Sequence, residues 1–230
     1  MKTLGLIGGT TWISTIDYYR YINQFVAEKL GGLNSAKILL YSLNFDELKT
    51  LFESGDWQRV AEILARIAQN LEKAGAEGIV LCSNTTHIPA EEIRRQINIP
   101  LLHIADATAH EIQKLKLKTV ALLGTRFTMD GDYYGEKLGA LGIELIIPDA
   151  SEREFINFSI FNELGKNIFS AETKQKYLEI IQNLKTRGAE GVIFGCTEIP
   201  MLLAAEDCPI PSFDTTLLHA RAAVEFALAD

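Results

Sequence analysis

Residues 75–89 read GAEGIVLCSNTTHIP and residues 188–200 read GAEGVIFGCTEIP, two versions of one phrase. Each begins at a glycine that ends a helical stretch, crosses a short apolar run, and closes with small polar residues before Ile-Pro. A short apolar run bounded by turn residues reads as a buried strand, and the helical spacing before it makes the unit helix–strand–loop. Placing Gly75 on Gly188 sets Cys82 opposite Gly195 and Ser83 opposite Cys196. One copy therefore offers a hydroxyl where the other offers a thiol.

The match extends outward in both directions. LGLIGGT, from Leu4, pairs with VALLGT, from Val120, and IPLLHIADATAH, from Ile99, with IPSFDTTLLHA, from Ile210, all in the same order. Strands are expected at 4–7, 37–42, 79–82 and 101–104, then again at 119–123, 144–147, 191–194 and 210–213. Helices are expected at 16–30, 56–74, 89–96 and 107–115, within 127–141, and at 171–187, 201–205 and 217–229. Strands that alternate with helices build parallel sheets with helical crossovers. The reading is an α/β protein of two pseudo-symmetric, doubly wound parallel-sheet domains, with the active site expected in the cleft between them. The expected boundaries are 1–116 plus 211–230, the C-terminal helix packing back, and 117–210. No Pro/Gly/Ser-rich linker separates the halves.

A chain of 230 residues with 47% hydrophobic content can bury a large core, while a net charge of −8 with no basic cluster argues against nucleic acid or an anionic membrane surface. No apolar run approaches the length that crosses a bilayer, and MKTLGLIGG reads as a first strand rather than a signal peptide. Three scattered cysteines make no disulfide framework and, with four histidines, no metal site of closed spacing, so a cytoplasmic protein without metal is expected.

Ligands of doubly wound sheets bind at the carboxyl ends of the strands, which selects four loops. Gly8 to Thr15 has glycines for a tight turn, and Thr11, Ser14 and Thr15 at a helix start that suits a carboxylate. It is not GxGxxG and carries no phosphate-loop lysine, so a nucleotide is disfavoured. Ser83-Asn84-Thr85-Thr86-His87 is a dense set of hydrogen-bonding groups, with helix capping as the simpler alternative and His87 either a substrate contact or a cap. Gly195-Cys196-Thr197-Glu198 places a thiol before a helix, where the dipole is expected to lower its pKa below about 8.5. A buried structural cysteine is the alternative. Gly124 to Met129 repeats the first loop, with Thr125 and Arg126 as possible donors. Cys82 is expected to be buried and inert, and Cys208 to lie in a loop or the core. Lys166 is a possible ligand for a side-chain carboxylate, or a solvated lysine.

With LGLIGGTTWIST, VLCSNTTH, ALLGTRFTM, FGCTEIP and FDTTLLHA together, the chain resembles the cofactor-independent aspartate/glutamate racemase family over essentially its whole length. The resemblance implies one cysteine from each domain on either face of the substrate Cα. The second maps onto Cys196; the first maps onto Ser83, a departure closest to the L-aspartate/glutamate-specific branch, which carries threonine there. That branch usually reads GGMSWEST in its opening loop, where this chain has Thr10, Thr11 and Ile13. A homodimer is also implied only by the resemblance.

The expected activity is therefore racemisation of an acidic amino acid without pyridoxal phosphate, favouring the L form. Cys196 and Ser83 are the expected catalytic pair. The substrate-binding set is Thr11, Ser14, Thr15, Asn84, Thr85, Thr125, Thr197, Glu198 and Lys166. A single-thiol decarboxylase, a maleate-type isomerase, and a non-catalytic binder of dicarboxylates or amino acids are the alternatives.

Overall fold

The computed structural model describes residues 1–229. Two compact units are present: Met1–Ile104 together with the chain from Thr216 onward, and Ala105–Thr215.

The first unit contains β1 (Leu4–Gly8), α1 (Trp12–Leu30), β2 (Ile38–Ser42), α2 (Phe45–Ser54), α3 (Trp57–Lys73), β3 (Gly78–Leu81), α4 (Ala90–Arg94) and β4 (Leu101–Leu102). The second contains α5 (Ile104–Lys114), β5 (Thr119–Gly124), α6 (Arg126–Met129), α7 (Tyr133–Gly139), β6 (Glu144–Ile146), α8 (Ala150–Asn162), α9 (Ala171–Thr186), β7 (Gly191–Gly195), α10 (Ile199–Leu202) and β8 (Ser212–Asp214). The last helix, α11 (Thr215–Leu228), returns to the first unit.

Both sheets are four-stranded and parallel throughout, in the orders β2-β1-β3-β4 and β6-β5-β7-β8. The second order is the first one repeated, so the internal duplication seen in sequence is also a duplication of topology. In each sheet the connections reverse direction between the two inner strands, the switch point at which open α/β sheets bind ligands. Strands of such sheets are covered on both faces and read as continuous apolar runs rather than alternating ones; β1, β3 and β7 are buried at every position. In the first unit, Tyr18, Ile22 and Val26 of α1 and Ala220, Val224 and Ala227 of α11 pack with Leu4, Leu6 and Val80 of the sheet in one cluster.

The domain boundaries differ from those expected at sequence level. Strand β8 pairs with β7 in the second sheet, and α5 belongs to the second unit; the sequence reading had grouped both with the first half. Helices α2 and α8 were not anticipated. Each carries a start signal: Asn44 accepts from the Asp46 N–H at 3.4 Å, and Asp149 and Glu152 form a reciprocal capping box. Helix α1 begins at Trp12 rather than Ile16, and the segment 127–141 holds two short helices, not one.

The turn after β1 depends on Gly9, whose φ is +94°. A Cβ there would lie 2.0 Å from the Leu43 carbonyl oxygen, a backbone atom that cannot rotate away. Gly9→Ala is expected to lower the urea-unfolding free energy by about 3 kcal/mol, from the combined strain and overpacking. An unchanged urea midpoint would show that the turn relaxes freely.

Candidate active site

The loops after β1 and β3 lie side by side in the first unit because their strands are paired up to Ile7 and Leu81, and the Cys82 N–H continues the ladder to the Ile7 carbonyl at 2.9 Å. Ser14 and Thr15, expected to face a ligand, are buried and serve the loop itself. The Thr15 hydroxyl accepts from the Gly9 N–H at 2.8 Å and donates to the Thr11 carbonyl at 3.2 Å. The Ser14 hydroxyl lies 2.9 Å from the Thr11 carbonyl and 3.1 Å from the Cys82 carbonyl, tying the first loop to the second. Thr11, at the N-cap of α1, makes no side-chain cap, and its hydroxyl is buried with no hydrogen-bond partner among the described residues.

Ser83 is half-buried and directly follows the buried Cys82. Asn84, Thr85, Thr86 and His87 are all buried, in a single 3₁₀ turn over Thr85–His87. Asn84 does not cap this turn with its side chain. The Ser83 carbonyl accepts from the Thr86 hydroxyl at 2.9 Å and lies 2.8 Å from His87 Nδ1. Behind this turn, the rings of His87, His103 and His219 form a buried cluster, with centroids 4.7 Å and 5.4 Å from that of His87. Burial holds the His87 imidazole well below its usual range, reinforced by His103 and His219. Burial likewise lowers His219 to about 4.

In the second unit the ends of β5 and β7 pair through Gly124 and Gly195. A Cβ on Gly124 would stand 2.9 Å from the Gly195 carbonyl, so the pairing leaves no room for a side chain at that point. Cys196 follows, half-buried, and its thiol donates to Glu198 Oε2 at 2.8 Å. The Thr197 hydroxyl donates to the same oxygen at 2.8 Å. Glu198 is only 4% exposed. Thr125 caps α6 by accepting from the Thr128 N–H at 3.3 Å.

The expected lowering of the Cys196 pKa is corrected by the structure. The thiol is held well above its ordinary range, first by loss of water and then by the Glu198 carboxylate, which outweigh the backbone N–H groups of Thr197 and Glu198. Helix α10 is a single four-residue turn, too short to supply a large dipole. Resting Cys196 is thus a neutral thiol with a carboxylate already placed to receive its proton.

Two phenols that the sequence pattern does not mark interact electrostatically with this thiol. Tyr133 and Tyr177 are buried phenols pushed above their usual range by burial, with Cys196 adding to both. Glu163 and Glu198 add further to Tyr177, which shares a hydrogen bond of 2.9 Å with Ser159. Glu163 itself is held by the Thr173 hydroxyl. Tyr177 sits inside α9 at a spacing that reads as ordinary core, so only packing reveals its place near the thiol. Lys166 is exposed on the 3₁₀ turn Leu164–Lys166, and Arg126 is exposed beside the Phe127 ring. Neither is brought into a contact with Cys196. Cys82 is fully buried and its thiol is raised by that burial; Cys208 is half-buried, raised to about 11.

Two duplicated parallel α/β units, each with polar loops at its switch point, and a Cys–Thr–Glu sequence after β7 make up the candidate site. The family model for Asp/Glu/hydantoin racemases matches residues 7–223. The chain belongs to that family and is an isomerase, an amino-acid racemase. It is 30% identical to the broad specificity amino-acid racemase RacX of Bacillus subtilis, over 98% of both chains. It is 49% identical, with a TM-score of 0.94 and full coverage of both chains, to the structure of a candidate Asp/Glu racemase from Yersinia pestis. It is 36% identical, with a TM-score of 0.87 and again full coverage, to an aspartate racemase homologue from Pyrococcus horikoshii. Among the described residues, no helix is long and apolar enough to cross a membrane.

Two outcomes follow from these electrostatics. His219 is depressed in the folded state, so between pH 6.5 and about 4 the unfolded chain binds a proton that the folded one refuses. Stability is therefore retained above that window and lost as pH falls through it, by up to about 1.4 kcal/mol per pH unit for each such group. Urea unfolding at stepped pH reads this slope, and a flat profile from pH 6.5 to 4.5 would contradict it. Glu198→Gln removes the charge that opposes thiolate formation. In a Cys208→Ser background the variant should be alkylated by iodoacetamide at pH 8 faster than the same protein with Glu198 intact. An equal or slower rate would mean that the carboxylate does not set the thiol's acidity.

Proposed function

We propose that this racemase acts on an acidic amino acid, with Cys196 addressing one face of the substrate Cα and Ser83 the other. The observation that supports this most is the 2.8 Å contact from the Cys196 thiol to Glu198. A thiol held above its ordinary range is a poor base until its proton is removed, and Glu198 is the group in place to take it. The thiolate then abstracts the α-proton, becoming a thiol again, and the electron pair remains on Cα. Ser83 relays a proton from water to the opposite face, and the hydroxide left behind is neutralised by the proton stored on Glu198. Atoms and charge balance over the cycle.

The carbanion requires hydrogen-bond donors around the substrate carboxylate. The unpartnered Thr11 hydroxyl at the start of α1 is the best-placed group by its local state, with Asn84 and Thr85 from the second loop. Ser14 and Thr15 are better read as loop struts. Thr197 serves Glu198, and Lys166, exposed, is assigned to a substrate side-chain carboxylate.

A serine hydroxyl is too weak an acid to act as a free base near neutrality, so the two faces are unequal. Because the enantiomers have equal free energy, kcat/KM must be the same in both directions. The asymmetry therefore appears in α-proton exchange with retention, which needs only the Cys196 face. The L enantiomer is assigned to that face from the resemblance to the L-specific branch. The broad specificity of the Bacillus subtilis relative favours a second reading, in which other side chains are accepted at the same two-faced centre.

Each enantiomer of aspartate and glutamate, incubated in D₂O and followed by proton NMR, tests the proposal. The L substrate should lose its α-proton faster than D product appears. Cys196→Ala should cost at least about 100-fold in both signals, while Ser83→Ala should suppress inversion and spare exchange with retention. Full activity in Cys196→Ala would overturn the assignment. Carbon dioxide release or cis–trans isomerisation would redirect it to the decarboxylase or isomerase alternatives.

A further inference from the structure

We propose that His87 is a positioning residue for Ser83, acting as a neutral imidazole whose Nδ1–H fixes the Ser83 backbone. The inference rests on the reading of Ser83 as the second proton-transfer group.

The protonation state follows from the partners. His87 Nδ1 is 2.8 Å from the Ser83 carbonyl, and a carbonyl only accepts, so Nδ1 carries the hydrogen. His87 Nε2 receives the Ile104 N–H at 3.2 Å, so Nε2 must present its lone pair. Both ring nitrogens are used, one as donor and one as acceptor, which only the neutral Nδ1–H tautomer satisfies. The residue is fully buried.

The neighbouring ring is locked in the opposite sense. His219 Nε2 lies 2.9 Å from the Leu102 carbonyl and therefore donates. Its Nδ1 then accepts from the Tyr18 hydroxyl at 2.7 Å. Two buried series thus run side by side, one from Tyr18 of α1 through His219 of α11 to the Leu102 carbonyl of β4, the other from the Ile104 N–H through His87 to Ser83. Neither His87 nor His219 is bonded to a carboxylate among the described residues; backbone carbonyls of Ser83 and Leu102 favour the charged rings, and burial outweighs them.

The consequence falls on Ser83. Its carbonyl is held from one side by His87 and the Thr86 hydroxyl, and the residue before it, Cys82, is held by the Ile7 carbonyl through its N–H. A backbone fixed at both ends leaves the side chain only its χ1 rotation, the condition for a proton donor that must meet one face of a substrate. His87 does not touch substrate; it decides where the Ser83 hydroxyl can point.

Long-range ¹H–¹⁵N NMR of the unliganded protein at pH 7 reads the ring directly. The expected pattern is Nδ1–H for His87 and Nε2–H for His219, and a Nε2–H or doubly protonated His87 overturns the proposal. Two variants then separate positioning from mere folding. His87→Asn places an amide N–H near the old Nδ1 and keeps the bond to Ser83; His87→Gln moves the amide toward Ile104 and loses it. Positioning predicts that His87→Gln loses inversion by at least about tenfold relative to exchange with retention, while His87→Asn stays within about threefold of the parent ratio. Inversion and retention falling in proportion in both variants would overturn it. Absence of racemisation of all four acids by the parent protein would instead overturn the functional reading, since the tautomer is measured without substrate.

Discussion

The pairing of β1 with β3, and of β5 with β7, is the constraint from which the candidate site follows. Parallel ladders bring the carboxyl ends of neighbouring strands to one edge, so whatever follows each strand is collected there. In the first unit this gathers the Gly8–Thr15 loop with Ser83–His87, stitched by the Ser14 hydroxyl to the Cys82 carbonyl. In the second it gathers Thr125 with Cys196 through the Gly124 and Gly195 pairing. Glycine at these points is a matter of space: the strands approach so closely that a methyl group would meet backbone oxygen.

The two units have the same strand order but surround their central group differently. Around Ser83 the partners are neutral: hydroxyls, backbone groups and an imidazole held in one tautomer. Around Cys196 they are anionic or potentially so: Glu198 in direct contact, with two buried phenols in electrostatic reach. In the proposed mechanism, the first environment is that of a hydroxyl relaying a proton and the second that of a thiol giving its proton to a carboxylate. The chemical inequality of thiol and hydroxyl is matched by an inequality in what packs behind them.

On the role proposed for Cys196, that packing makes a raised thiol compatible with base catalysis. Burial and a neighbouring carboxylate both disfavour the thiolate, so its standing population is small. The same two features make the thiolate strongly basic once formed and keep the acceptor for its proton at hydrogen-bond distance. A helix dipole alone would have produced a more abundant but weaker base.

The sequence pattern by itself determined the alternation of strands and helices and the parallel character of both sheets, and it suggested the pairing of Ser83 with Cys196. These are properties of local pattern: apolar run length, glycine stops and repeat order are carried by neighbouring residues. Helix α8 is weakly patterned across its faces, which hides it from a periodicity reading, whereas α2 is amphipathic but only ten residues long; each carries a cap legible in the sequence, at Asn44 and Asp149. Only the tertiary structure decided the charge state of Cys196, because burial and the approach of Glu198 depend on how the loop after β7 folds back. It alone showed the hydroxyls of Ser14 and Thr15 engaged within the loops, at Thr11, Cys82 and Gly9. It also packed the ring of His87 against that of His219, residues far apart in the chain, since ring contacts are set by proximity in space and sequence spacing carries no record of that.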